Sequence, residues 1–148
     1  MGDTYSTNDQ VIAEFKELQT GAGSNFTPEK IDAFRDDAFS YINGRIGNKY
    51  STPVPSSAAC VAILKTVEVW LVKHRIEGIR TTRMSADDSK QTTKAVNFER
   101  KAEDMLDKII AGTMRMDGAT LRTTSDGMSS FNSDSGAEYK VDPDKDQW

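Results

Sequence analysis

A single cysteine, Cys60, and a single histidine, His74, are the chain's entire supply of thiol and imidazole. A disulfide within the chain is therefore impossible, and a structural zinc site, which needs about four nitrogen or sulfur ligands, cannot be built from two. Along one helix the two would stand roughly four turns, or ~21 Å, apart, too far for a thiolate–imidazole pair. His74 falls on the apolar side of a predicted helix near its end, where an imidazole caps carbonyls or packs, and Cys60 reads as a small buried hydrophobe. The pairs Asp36-Asp37 and Asp87-Asp88 could suggest a carboxylate cluster for two metals. Neighbours on a helix point about 100° apart, however, so solvated helix faces account for them better. Gly21-Ala22-Gly23 is the nearest approach to a phosphate loop, but it follows a predicted helix and lacks a Gly-Lys-Ser/Thr element, so it reads as a linker. Lys73, Arg75, Arg80, Arg83, Lys90, Lys94, Arg100 and Lys101 make the middle of the chain locally basic. Acidic residues interleave them and no aromatic stacking platform accompanies them in the sequence, so they read as a subunit contact or a solvated surface rather than a DNA interface. The chain is expected to be no enzyme, to hold no metal and to need no cofactor.

The elements that must position these residues follow from the apolar spacing. Val11, Ile12, Phe15 and Leu18 predict a short amphipathic helix over 9–18. Thr27-Pro28 supplies an N-cap followed by proline at the first helical position, and Ile31, Phe34, Ala38, Tyr41, Ile42 and Ile46 carry a helix over 27–46. Pro53-Val54-Pro55 forbids its continuation and leaves Tyr50 in an extended connector. Cys60, Val61, Ile63, Leu64, Val67, Trp70, Leu71 and His74 give a wide apolar face over 56–77, with Gly78 as the C′ residue. A last helix over 93–111, whose start lies anywhere from 86 to 93, carries Ala95, Phe98, Ala102, Met105, Leu106 and Ile109 and stops at Gly112. The fold class expected is mainly α: a small bundle of about four helices.

Past Gly112 the composition turns to Ser, Thr, Asp and Gly, and half of residues 113–148 are of these four types. Such a segment is too poor in apolar residues to fold alone. The chain is accordingly divided into a helical core, 1–112, and an extended C-terminal docking tail, 113–148, that orders on a partner. Asp126-Gly127, flanked by 120–123 and 128–131, signals a weak hairpin, and 138–141 alternates like a half-buried strand. Phe131, Tyr139, Val141 and Trp148 are the expected partner-binding anchors, on a neighbouring subunit or on another protein, because aromatic and apolar side chains dominate such contacts. The 19 Lys and Arg against 23 Asp and Glu give a net charge of −4, which argues against sequence-independent DNA binding. No run approaches the roughly 18 apolar residues of a membrane span, and the first residues show no secretory leader, so synthesis in a cytoplasm is expected.

Three stretches taken together resemble a known family. Phe26-Thr27-Pro28-Glu29-Lys30-Ile31 is followed by Ala38-Phe39-Ser40-Tyr41-Ile42-Asn43-Gly44-Arg45-Ile46, then by Lys49-Tyr50-Ser51-Thr52-Pro53-Val54-Pro55 and a helix rich in Val, Leu and Trp. This order resembles the head–tail connector (adaptor) proteins of tailed phages, in which a helix leads through an aromatic-x-x-Pro turn to the next core helix and a later helix ends in glycine. Ile42 to Ile46, Tyr50 with Pro53, and Ala102 through Gly112 occupy those places, over roughly residues 8–112. The resemblance implies a virion protein of the head–tail interface that forms a ring, usually a dodecamer, beneath the portal protein. Such a ring extends the channel through which double-stranded DNA passes without specific binding, and offers a seat to a neck stopper or tail terminator protein. The alternatives are a neck stopper or tail-completion protein, which would be richer in strands, and a helical DNA-binding regulator, which would need a basic recognition helix.

Overall fold

A computed structural model describes residues 4–15, 20, 24–83 and 89–122. Among the described residues four helices run in order: α1 (Asn8–Ala13), α2 (Pro28–Ile46), α3 (Val61–Arg83) and α4 (Ser89–Ala111). Among the described residues there is no strand, only an isolated antiparallel bridge between Tyr50 and Leu121. The fold is mainly α.

Each start and stop has a local cause. At α1 the Thr7 side chain accepts from the Gln10 N–H while the Gln10 side chain accepts from the Thr7 N–H, a reciprocal capping box. The helix is shorter than the sequence predicts. It ends at Ala13 because the N–H groups of Glu14 and Phe15 bond to carbonyls three residues back, at 3.2 and 3.0 Å, a tightening that unwinds the last turn. Phe15 still enters the core, and 16–19 lie outside the described residues. At α2, Thr27 caps the Lys30 N–H and Pro28 opens the helix, as the sequence predicts.

The predicted bounds of α3, 56–77, are corrected at both ends. The helix begins only at Val61 because the Cys60 N–H donates to the Asp117 carbonyl at 3.0 Å, which holds this stretch against the segment after α4. At the other end Gly78 is an interior residue and not a C′ residue. Ile76 is fully buried and Ile79 packs on the same cluster, so burial on both sides of Gly78 outweighs the ~1 kcal/mol a mid-helix glycine costs. The start of α4 at Ser89 falls inside the expected window. Gly112, with φ +79°, closes this helix, and the Met114 N–H returns to the Lys108 carbonyl at 3.1 Å.

Two apolar clusters fill the interior. Ile42, Ile46, Tyr50, Val54, Leu64 and Val67 meet Ala102, Leu106 and Ile109 at one end of the bundle. Val11, Phe15, Phe26, Ile31, Ala38, Val72 and Ile76 form the other, between α1, α2 and α3.

The stretch 113–122 departs from the reading of everything past Gly112 as a tail that orders on a partner, because it packs on this chain's own helices. Met116 is buried in the first cluster. The Ser51 N–H donates to the Thr120 carbonyl at 2.8 Å, and the Arg122 N–H to the Lys49 carbonyl at 2.9 Å. Residues 120–122, expected to pair with 128–131 in a hairpin, thus pair with the α2–α3 connector instead. Residues 128–131 lie outside the described residues. The scattered apolar residues hid this: one buried methionine and a few main-chain bonds leave no periodic stripe.

Candidate functional site

The most demanding arrangement in the molecule centres on Glu68, whose side chain is completely buried in α3. Its carboxylate accepts from the N–H groups of Tyr5, at 2.9 Å, and Ser6, at 3.0 Å, and from the Ser6 hydroxyl. Arg35, from α2, brings its Nε to 3.8 Å. The same guanidinium donates to Asn8 at 2.9 Å and Asp32 at 2.8 Å, and also to the Ser6 carbonyl and the Thr4 hydroxyl. Tyr5 extends the network: its ring lies 4.8 Å from that of Phe39, its hydroxyl donates to Asn43, and the Val54 N–H donates to it at 3.2 Å. Burial pushes the Glu68 carboxyl above its ordinary range against the opposing pull of Ser6, Tyr5 and Arg35. A carboxylate so enclosed has no route to a substrate. It clamps the segment before α1 onto α2 and α3.

A cleft of about 480 Å³ opens between α2, α3 and α4, floored by Phe34, Ala38 and Leu71 and rimmed by Asp37, Tyr41, His74, Arg75, Glu99 and Glu103. Most of its charges are already matched. Arg75 pairs with Asp37 at 2.8 Å, and Arg45 pairs with Glu103 and, at 2.7 Å, with Asp107. The Tyr41 hydroxyl donates to Glu103, which raises its pKa. His74 spans the helices: its Nδ1 lies 2.9 Å from the Ala95 carbonyl, and because a carbonyl only accepts, Nδ1 carries the proton there. Its Nε2 faces Glu99 at 4.0 Å. The imidazole thus packs and bonds a carbonyl, of α4 rather than of its own helix. Among the described residues no serine, threonine or cysteine lines the cleft.

On another face of α3 and α4 basic residues of the middle segment, read from sequence as lacking an aromatic stacking platform, meet individual aromatic rings. Lys73 Nζ lies 4.8 Å from the Phe98 ring centroid and 5.8 Å from that of Phe15, and pairs with Glu14 at 2.7 Å. Lys101 Nζ is 6.0 Å from both Trp70 and Phe98. Apart from Lys101 with Phe98, one helical turn apart, these contacts join residues far apart in sequence, and so no linear motif shows them.

The other sequence candidates fall as follows. Cys60 is buried, and burial raises its thiol pKa, which makes it a packing residue. Asp36 is exposed, and its neighbour Asp37 is engaged with Arg75. Among the described residues no three His, Cys, Asp or Glu side chains converge as a metal cage requires. Gly21-Ala22-Gly23, Asp87-Asp88 and the four anchors Phe131, Tyr139, Val141 and Trp148 lie outside the described residues. Neither Glu68 nor Arg35 is among the sequence candidates. The signal for Glu68 was its spacing, since it stands four residues after Leu64 and four before Val72, on the apolar face itself.

Comparison of the chain with known protein families, with curated proteins and with solved structures finds no match.

Proposed function

We propose that the chain is a structural subunit of the neck of a tailed phage, a connector that assembles as a ring beneath the portal protein and extends the DNA channel. The observation that carries this reading is the packing of the very stretches that resemble the connector family. α2, capped by Thr27-Pro28, leads into a connector whose Tyr50 and Val54 are buried against Ile42, Ile46 and Leu64, so the aromatic-x-x-Pro turn is part of the core and not a loose link. A ring subunit needs such a body, stiff enough to repeat around an axis. Further support comes from the absence of strands among the described residues, which disfavours a stopper, and from the net charge of −4, which lets DNA pass without being held. In this reading a partner orders residues 123–148 through Phe131, Tyr139, Val141 and Trp148, and the protein resides at the head–tail interface of the virion.

The test is the mass of the purified chain, alone and mixed with portal protein. A cyclic oligomer near a dodecamer that co-migrates with portal is the expected result. A chain that stays monomeric and never joins the portal would overturn the reading.

A further inference from the structure

We propose that the face carrying Lys65, Trp70, Lys94, Phe98 and Lys101 receives the acidic stretch 134–148 of a second copy of this chain. The inference rests on the connector reading, which requires each copy to hold its neighbour, and it names the surface that does so.

The face has both parts of a binding site for an acidic, aromatic segment. A groove of about 340 Å³ between α1 and α3 is walled by Lys65, Val69 and Trp70, and by Glu14, whose carboxylate is matched by Lys73 at 2.7 Å. Beside it Lys101 stands against the Trp70 and Phe98 rings, and Lys94 lies one helical turn before Phe98 on the same side of α4. Among the described residues Lys65, Lys94 and Lys101 have no carboxylate partner, whereas Arg45, Lys73 and Arg75 all do. In a chain of net charge −4, two unmatched lysines beside an indole, with Lys94 a turn from Phe98, invite an acidic partner.

The stretch 134–148 supplies that complement. It carries five carboxylates, at Asp134, Glu138, Asp142, Asp144 and Asp146, against two lysines, and it contains Tyr139 and Trp148. An aromatic side chain from it would fill the groove while the carboxylates meet the lysines of the rim, the usual pairing of an aromatic anchor with a charged border. Reach is sufficient, because residues 123–133 extended span up to ~36 Å, enough to cross onto an adjacent copy.

The experiment mixes full-length chain carrying ordinary nitrogen with full-length chain labelled with heavy nitrogen, and joins amines to carboxylates with a zero-length carbodiimide. Expected are links from Lys65, Lys94 or Lys101 to Asp142, Asp144 or Asp146, about half of them between a heavy and a light chain, as random mixing of second copies demands. Charge reversal of Lys65→Glu with Lys101→Glu should weaken self-association about tenfold, and Asp142→Lys with Asp144→Lys in the same chain should restore it. Links confined to one isotope would place the stretch on its own copy and overturn the proposal. So would the absence of such links, including a result in which the face retains double-stranded DNA instead. Failure to join the portal with the heavy–light links intact would sink the connector reading and leave this contact standing.

Discussion

At the scale of single residues, Glu68 decides how the segment before α1 is held. Removing its side chain as Glu68→Ala leaves the Tyr5 and Ser6 N–H groups without their acceptor and takes the buried carboxylate away from Arg35 Nε. That should cost about 3–5 kcal/mol by urea unfolding. Glu68→Gln keeps the volume and one acceptor but turns an amide N–H toward donors, for about 1–3 kcal/mol. A Glu68→Ala protein within ~1 kcal/mol of the parent would show that the clamp carries no stability. The pH dependence has a definite sign. Burial raises the Glu68 pKa in the folded chain above the ordinary carboxylate value it has when unfolded. Between those two values the folded chain binds more protons than the unfolded one, so this group's contribution grows as pH falls through that window and is lost as pH rises through the folded pKa. The parent should therefore gain on Glu68→Gln as the solution is acidified toward the ordinary carboxylate range, and a difference that stays flat with pH would refute the assignment. The sequence carried half of this site. Glu68 was visible as a charge at an apolar position of α3, but Tyr5 and Ser6 stand more than sixty residues away, and no local pattern names a partner at that separation.

At the scale of elements, two glycines make opposite predictions. Gly78 lies inside α3, and a Cβ placed there would meet nothing within 4 Å. Gly78→Ala should therefore stabilise the protein by about 0.5–1 kcal/mol through helix propensity and a less flexible unfolded chain. Gly118 has φ +88°, and a Cβ there would come within 3.0 Å of Ala58. Gly118→Ala should cost about 1–3 kcal/mol. Thermal melts should rank Gly78→Ala above the parent and Gly118→Ala below it, and a reversed order would contradict both placements. These positions also mark where the helices were legible and where they were not. Thr27-Pro28 and Gly112 are local signals, acting within one turn, and they set the start of α2 and the end of α4 as read from sequence. Gly78 is just as local a signal, yet its cost of ~1 kcal/mol is small beside the burial of Ile76 against α1 and α2 residues, which a single segment does not reveal. The start of α3 depended in the same way on Asp117, brought to Cys60 by the chain beyond α4.

At the scale of the whole molecule, the stretch 113–122 determines where the folded body stops. It closes the end of the bundle where α2 and α4 finish and α3 begins: Met116 fills the first cluster, the Cys60 and Ser51 N–H groups bond to the carbonyls of Asp117 and Thr120, and Leu121 bridges Tyr50. A chain ended at Gly112 loses all of these contacts, whereas one ended at Arg122 keeps them. Burial of Met116 alone contributes about 1.5–3 kcal/mol, and each main-chain bond left without its partner adds roughly 0.5–1.5 kcal/mol. Against a typical domain stability of about 5–15 kcal/mol, the shorter chain should unfold at clearly lower denaturant, by about 3–5 kcal/mol in total. The chain ended at Arg122 should match the full-length protein in stability and cooperativity, while self-association drops because 134–148 is gone. Denaturant midpoints and the mass of each chain in solution separate the two roles. Equal midpoints for both truncations would show that 113–122 adds nothing to the core, and undiminished self-association after ending the chain at Arg122 would remove 134–148 from the contact between copies.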